Sequence, residues 1–405
     1  MTALEYFLDL VKYDTQSNPY SGKTPSSDGQ LVLGSHLVDV LKSIGLDNAY
    51  IDEFGYVYAY LPSNCGANKT IGLIAHMDTS FDASGKDIKP RVIENYDGTN
   101  ISLNNTTHLS TDEFPSLLKK KGHTLVVTDG TTLLGADDKA GIAIILKVIS
   151  EILKTNEPYP NIIITFTPDE EIGEGTDHFN FDYYKEKNCS YAYTLDGGDV
   201  SEINFENFNA ASAKVTINGK SIHPGSALHK MVNSQLIAME FQSMLPSHLV
   251  PELTAGYTGF FHLTRTEGSV EKTTLEYIIR NHDIDVFNNQ KELILSIGDY
   301  LNKKYYNGIV EIELVDSYFN MKELILQHSE VLEHAIKALK RNKIEPTFVP
   351  IRGGTDGARL SFGGIYTPNL GTGGENFHGP FEYLDVTDMN KMVNVVISLL
   401  KGITE

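Results

Sequence analysis

The chain has 405 residues, 41% of them hydrophobic and 21% charged, with 33 Lys+Arg against 53 Asp+Glu and a formal net charge of −20. That length suggests roughly two or three domains with ample core, and the composition is that of a globular protein rather than a disordered or membrane one. The acidic excess repels phosphate, which argues against nucleic acid or an anionic membrane as a partner.

Cys65 and Cys189 are the only cysteines, too few for a disulfide framework or a Cys-rich zinc site. The first residues, MTALEYFLDLVK, are amphipathic and acid-bearing, unlike an export signal, and no run approaches the ~18 apolar residues of a membrane span. The expectation is a cytoplasmic enzyme.

Glu5 to Lys12 and Gly29 to Ile44 carry helix-period apolar positions, and Gly45 closes the second. Strand-like runs follow at Ile71–Ala75, Asn161–Thr167 and Tyr191–Leu195, with a helix apolar enough to be buried between them at Lys139–Leu153. This alternation predicts an α/β fold with a mostly parallel sheet and helices on both faces. The polar stretch Lys86–Gly130, with its Asp97-Gly98 turn signal, interrupts the rhythm as a hairpin insertion or flap.

From about Asn209 the pattern changes. Strand Ala210–Ile217, the turn Asn218-Gly219, helix Asn233–Met244, strands Tyr257–Arg265 and Val270–Arg280, helix Val286–Asn302 and strand Gly308–Val315 spell β-α-β-β-α-β, a ferredoxin-like α+β lid. Past Tyr318 the α/β pattern resumes, with a helix at Ser329–Lys340 and strands near Thr347 and Tyr366. The expected division is a catalytic domain at 1–207, an inserted lid at 208–317, and the rest of the catalytic domain at 318–405.

Ligands of open α/β sheets bind beyond the carboxyl ends of the strands, and five loops there carry metal-ligand chemistry. His76 and Asp78 leave one strand with a two-residue spacing that turns both to one face. The histidine suits a metal and the aspartate its second ring nitrogen, although H-x-D alone is the ordinary pattern of a histidine satisfied at a strand end. Asp137 and Asp138 stand at the mouth of the buried helix, where paired acids are normally caps worth ~1 kcal/mol. Asp169, Glu170 and Glu171 follow a buried strand and repel one another unless a cation or proton separates them; a solvated acidic loop is the plainer alternative. Asp196 ends a strand before two glycines, and His378 lies in the glycine-rich GTGGENFHGPFEYL. Together these loops bring two histidines and several carboxylates to strand ends, the donor set of a two-metal site. The motifs H-E-x-x-H and G-x-S-x-G do not occur, and Gly22-Lys23-Thr24 and Gly219-Lys220-Ser221 lack the earlier glycine of a P-loop.

His76-Met77-Asp78, Gly135-Ala136-Asp137-Asp138-Lys139, Thr167-Pro168-Asp169-Glu170-Glu171, Asp196-Gly197-Gly198 and Asn376-Phe377-His378-Gly379 resemble, in order, the di-zinc M20 metallopeptidases. Glu206-Asn207-Phe208-Asn209-Ala210-Ala211, Ile222-His223-Pro224-Gly225 and Pro350 to Gly357 (PIRGGTDG) narrow the likeness to the tripeptide aminopeptidases of that family.

The resemblance implies two Zn2+ per subunit, with Co2+ or Mn2+ as substitutes. One would be held by His76, Asp137 and Asp196, the other by Asp137, Glu171 and His378. It makes Glu170 the general base toward a metal-bridging hydroxide, Asp78 the group that orients His76, and the Asp137–Asp138 peptide cis. His223, in the lid or from a partner subunit, would donate to the tetrahedral oxyanion. Arg280 and Arg352 would clamp a peptide carboxylate, and Asn207 would bond the peptide backbone; surface ion pairs and a turn or cap are the plainer readings of these three. The implied activity is release of the N-terminal residue from tripeptides, within peptide catabolism. The expected partners are short peptides with a free N-terminus, not nucleic acid or membrane, and the chain would act as a monomer or homodimer. The alternatives are an M20-type dipeptidase or N-acyl-amino-acid amidohydrolase, or a metal-binding scaffold without catalysis.

Overall fold

Apolar runs that end in polar loops build one eight-stranded sheet in the computed structural model, which describes residues 1–404. Across it the strands lie in the order Tyr50–Ile51, Val57–Leu61, Asn161–Thr167, Thr70–His76, Tyr191–Gly197, Asn369–Gly371, Glu202–Asn204 and Thr347–Phe348. The four central strands, from Asn161–Thr167 to Asn369–Gly371, run parallel, and antiparallel pairings flank them. Thr70–His76 and most of Asn161–Thr167 are buried on both faces, so they read as unbroken apolar runs instead of alternating ones. Helix Ala136–Thr155 packs against Thr70–His76 and Tyr191–Gly197 and is itself covered by helices Ala3–Leu10 and Val386–Thr404. Enclosure on these sides accounts for its AGIAIILKVISEIL sequence. On the other face Ile74, Ile163 and Ala192 meet Tyr56, Tyr58, Tyr184 and Leu360. The protein is α/β, with a mostly parallel central sheet.

Register brings the functional loops to one level. His76 lies opposite Thr167, and Ile74 lies opposite Thr194 two residues before Asp196. The loops after these three strands therefore leave the sheet side by side.

Several elements depart from the sequence expectation. The strand Val57–Leu61 and the helices Phe181–Glu186, Asp356–Phe362 and Val386–Thr404 were not anticipated, and Tyr366 makes only an isolated bridge to Tyr191, the strand beginning at Asn369. Residues expected as an insertion join a second, antiparallel sheet in the order Arg91–Ile93, Leu125–Val127, Tyr383–Asp385, Gly374–Glu375. Tyr96, Ile101, Leu109, Leu117 and Tyr383 form its own small core.

The chain divides into two compact units, one of Met1–Phe205, Glu323–Val349 and Thr355–Glu405, the other of Glu206–Lys322 and Pro350–Gly354. The second unit has an antiparallel sheet in the order Phe260–Gly268, Lys272–Asn281, Asn209–Asn218, Val310–Tyr318. Ala211, Ala213, Val215 and Ile217 alternate with polar residues and pack with Phe241 and Ile294 from helices Ser234–Met244 and Ile284–Lys304. Pro350–Gly354 joins this unit through a bridge between Ile351 and Asn207. No helix among the described residues is long and apolar enough to cross a membrane.

Candidate metal centre

His76 ends its strand 3% exposed, and its Nε2 meets Asp137 Oδ1 at 2.8 Å and Asp196 Oδ1 at 3.6 Å. His378 Nε2 meets Asp137 Oδ2 at 3.2 Å and Glu171 Oε2 at 2.9 Å. Asp137 thus turns one oxygen to each histidine, and each histidine has a second carboxylate beside it. Glu170 is not among the carboxylates the histidines meet.

The charges of this cluster call for cations. Burial disfavours a proton on His76, but hydrogen bonds to Asp137, Asp196 and Asp78 hold it well above the usual histidine range. Burial likewise opposes protonation of His378, while Asp137 and Glu171 push it up to about 11. Burial, reinforced by Asp137, raises Glu171 to about 7, and burial raises Asp196 to about 6. Glu171 Oε1 is buried without a hydrogen-bond partner, a costly position for a carboxylate oxygen unless a cation meets it. Two imidazoles and three carboxylates with an orphaned buried oxygen fit divalent cations of the zinc, manganese or cobalt type. A third grouping, His123, Asp385 and Asp388, already holds positive charge: the Lys120 ammonium is 2.9 Å from Asp388 and 3.6 Å from Asp385.

The two aspartates at the helix mouth divide the roles that sequence left open. The Asp137–Asp138 peptide is cis. Asp137 faces the histidines, whereas Asp138 Oδ1 accepts the Gly141 N–H and Oδ2 the His76 N–H, both at 3.2 Å. Gly141 is required by closeness: a Cβ there would stand 2.0 Å from Leu195 O and 2.5 Å from Asp138 Oδ1.

Asp78 does more than face His76. His76 Nδ1 lies 3.3 Å from Asp78 Oδ1 and 3.1 Å from its backbone carbonyl, but the same carboxylate accepts the N–H groups of Glu170 at 3.0 Å and Glu171 at 3.1 Å. Asp169 braces the loop from the other side. Its fully buried carboxylate accepts Ser26 N–H at 2.7 Å, Ser26 O–H at 2.5 Å and Gln30 Nε2–H at 2.7 Å. These bonds hold Asp169 at φ +57, a left-handed conformation that costs a non-glycine residue of order 1–3 kcal/mol. His378 is also left-handed, at φ +65. Glu170 rises well above the usual glutamate range, first through burial and then through Asp196, Asp356 and Glu171.

Sequence reasoning missed two carboxylates here. Asp356 accepts the Thr167 hydroxyl at 2.9 Å and is raised by burial to about 7. Glu382, four residues after His378, is 1% exposed and accepts three backbone N–H groups from the Asp137 loop. Its position in GTGGENFHGPFEYL was visible, but nothing local distinguishes it from a surface glutamate.

The remaining expected residues belong to the second unit. His223 is exposed, and its Nδ1 accepts the Gly225 N–H at 3.1 Å, which leaves Nε2 as the donor of the neutral ring. Arg280 is partly buried, with its guanidinium 4.9 Å from the centre of the Tyr318 ring. Arg352 spends its terminal nitrogens on the loop 254–258, donating to Gly256 O at 2.7 Å, Thr258 O at 2.9 Å and Thr254 Oγ1 at 3.0 Å. Asn207 is wholly buried, its Nδ2 donating to Phe208 O and Phe319 O and its Oδ1 accepting Met321 N–H, so the amide ties backbone segments together.

Peptidase family M20/M25/M40 matches residues 121–402. The chain is 53% identical over 399 residues to peptidase T of Clostridium perfringens, covering 98% of each. The chain belongs to the M20 family. To peptidase T of Bacillus subtilis this M20 chain is 49% identical over 402 residues, covering 98% of the chain and 97% of the relative. Among solved structures the fold matches aminopeptidase PepT of Bacillus cereus with a TM-score of 0.77 at 23% identity, covering 100% of the chain and 98% of that structure. Membership makes the protein a metal-dependent peptidase.

Proposed function

We propose that this M20 chain is an aminopeptidase that releases the N-terminal residue of a tripeptide at a pair of divalent cations. One cation would be held by His76, Asp137 and Asp196, the other by Asp137, Glu171 and His378. The observation that carries this reading is Asp137, whose two oxygens each face a different histidine. The kinship with peptidase T of two organisms supports the tripeptide substrate.

Divalent cations at these positions supply Lewis acidity toward the scissile carbonyl and acidify the attacking water. Zinc is the proposed metal, and the same donors suit manganese or cobalt. Glu170, outside the ligand set, takes the water's proton and returns it to the departing amine. Asp78 holds the backbone N–H groups of Glu170 and Glu171, which keeps base and ligand in register. His223 is proposed as the Nε2–H donor to the oxyanion. Arg280 is proposed to pair with the substrate carboxylate, with Arg352 shaping the loop 254–258 beside Phe260. Acidic groups around the cations favour a free α-amino group. Two free cysteines suit the proposed cytoplasmic setting.

The test assays metal-loaded protein on a tripeptide, its N-acetylated form, and the matching di- and tetrapeptides, before and after chelation. Fast, chelator-sensitive release of the first residue from the free tripeptide is expected. Cleavage of the blocked peptide at the same rate would refute the aminopeptidase reading and favour an amidohydrolase.

A further inference from the structure

The first N–H groups of a helix have no intrahelical acceptor and normally rely on a side chain just upstream. Asp138 fills that role for the regular part of helix Ala136–Thr155, its Oδ1 accepting the Gly141 N–H, while the backbone at Asp137 and Asp138 is itself non-helical. The segment ahead of this cap, which passes through the left-handed Gly135, is held by a residue from far along the chain. Glu382 Oε2 accepts the N–H groups of Leu134 at 2.6 Å and Gly135 at 2.9 Å, and Oε1 accepts that of Asp137 at 3.1 Å. Both oxygens are buried with the residue, 1% exposed.

Glu382 is itself fixed to the turn that follows His378. Its own N–H donates to Gly379 O at 3.2 Å, Asn376 Nδ2 donates to Phe381 O at 3.2 Å, and the Thr128 hydroxyl donates to Pro380 O at 3.3 Å. One side chain thus joins the backbone that carries Asp137 to the turn that carries His378. Those are the two residues whose Nε2···Oδ2 separation is 3.2 Å.

We propose that Glu382 is a positioning residue for the cation pair: by holding the Asp137 backbone to the His378 turn, it sets the spacing between the ligands of both cations. This rests on the reading of Asp137 and His378 as ligands. Metal sites tolerate displacements of only about 0.5 Å, and losing such an outer partner typically costs about 10–100-fold in metal affinity or activity. Glu382→Gln keeps the shape but presents an N–H group to one of the amide positions, so at least one of the three bonds is replaced by donor facing donor.

The experiment compares full-length wild type, Glu382→Gln, and Leu399→Ala, the last a core truncation in the C-terminal helix where the side chain is 1% exposed. Three readouts are taken: amide hydrogen exchange over 131–141 in metal-free protein, stepwise zinc affinity against a chromophoric chelator, and kcat and KM on a tripeptide. For Glu382→Gln the expectation is faster exchange at residues 134–137, a weaker zinc step lowered about 10–100-fold, and a lower kcat with KM nearly unchanged. Leu399→Ala should lose stability and keep both zinc steps. Wild-type exchange and zinc affinities within twofold for Glu382→Gln would overturn the inference and leave the ligand reading standing. An equal loss of zinc affinity in Leu399→Ala would also overturn it, reducing Glu382 to general stability. If a His378→Ala variant kept both cations at wild-type affinity, the ligand reading would fall and the inference with it.

Discussion

Gly141→Ala is the sharpest perturbation of the ligand framework, because it adds one carbon where helix and strand are closest. The new Cβ would lie 2.0 Å from Leu195 O and 2.5 and 2.8 Å from the two Asp138 oxygens. Non-bonded carbon contacts are most favourable at about 3.5–4.0 Å, so even a strained fit moves the helix from the strand by at least about 1 Å. The neighbours that must give are a backbone carbonyl and a carboxylate already bonded to the Gly141 and His76 N–H groups. Leu195 precedes Asp196, so the shift separates two proposed ligands of one cation. A 1 Å misplacement of reacting groups costs roughly 100-fold in rate, and overpacking costs about 1–3 kcal/mol. Urea unfolding, zinc content after dialysis and kcat/KM on a tripeptide together form the assay. Lower stability, less than two zinc per chain and a roughly 100-fold loss of kcat/KM are expected. Wild-type stability together with kcat/KM within threefold would refute the packing argument.

Glu170→Ala should retain its metal while kcat falls by about 100- to 10,000-fold; a variant with unchanged turnover would remove the base from the mechanism. Lys120→Met strips the ammonium from Asp388, Asp385, Glu375 and Asp199, and breaking such a buried pairing costs about 3–5 kcal/mol. Losing the ammonium raises the folded-state pKa values of Asp388, Asp385 and Asp199, which its charge lowers, so the deficit in Lys120→Met is largest at neutral pH and shrinks as acid protonates them. Urea unfolding at pH 7 and pH 5 would contradict this if the deficit were equal or larger at the lower pH. Hydrogen bonding to the Ser63 hydroxyl lowers the exposed Cys65 thiol, while burial pushes Cys189 up to about 12. A disulfide reagent at pH 8 should therefore modify one thiol in native protein and two after denaturation; two fast equivalents in native protein would disprove the burial of Cys189.

How much of the site was legible depended on how local each signal was. His76, Asp137, Glu171, Asp196 and His378 stand where apolar runs break into polar loops, a boundary that hydrophobicity alone marks. Asp138 carried the same local signal as Asp137, yet one caps Gly141 and the other faces the histidines, and only the backbone at the helix mouth separates them. For Asn207 the sequence says nothing of burial, and it is burial that brings both ends of its amide to backbone partners. Residues 86–130 read as a flap because strands of two or three residues have weak patterns. The partner of Leu125–Val127, Tyr383–Asp385, lies more than 240 positions on.

Sequence by itself determined the α/β class, the β-α-β-β-α-β order of the second unit and the residue types at each strand end. These follow from apolar periodicity and turn chemistry acting over a few residues. Tertiary structure decided which strand ends meet. Parallel register placed His76 beside Thr167 and Ile74 beside Thr194, and Glu382 reached across 245 positions to hold the Asp137 N–H. Contacts over such distances form only once the sheet closes, because no local preference repays the entropy of joining chain segments so far apart.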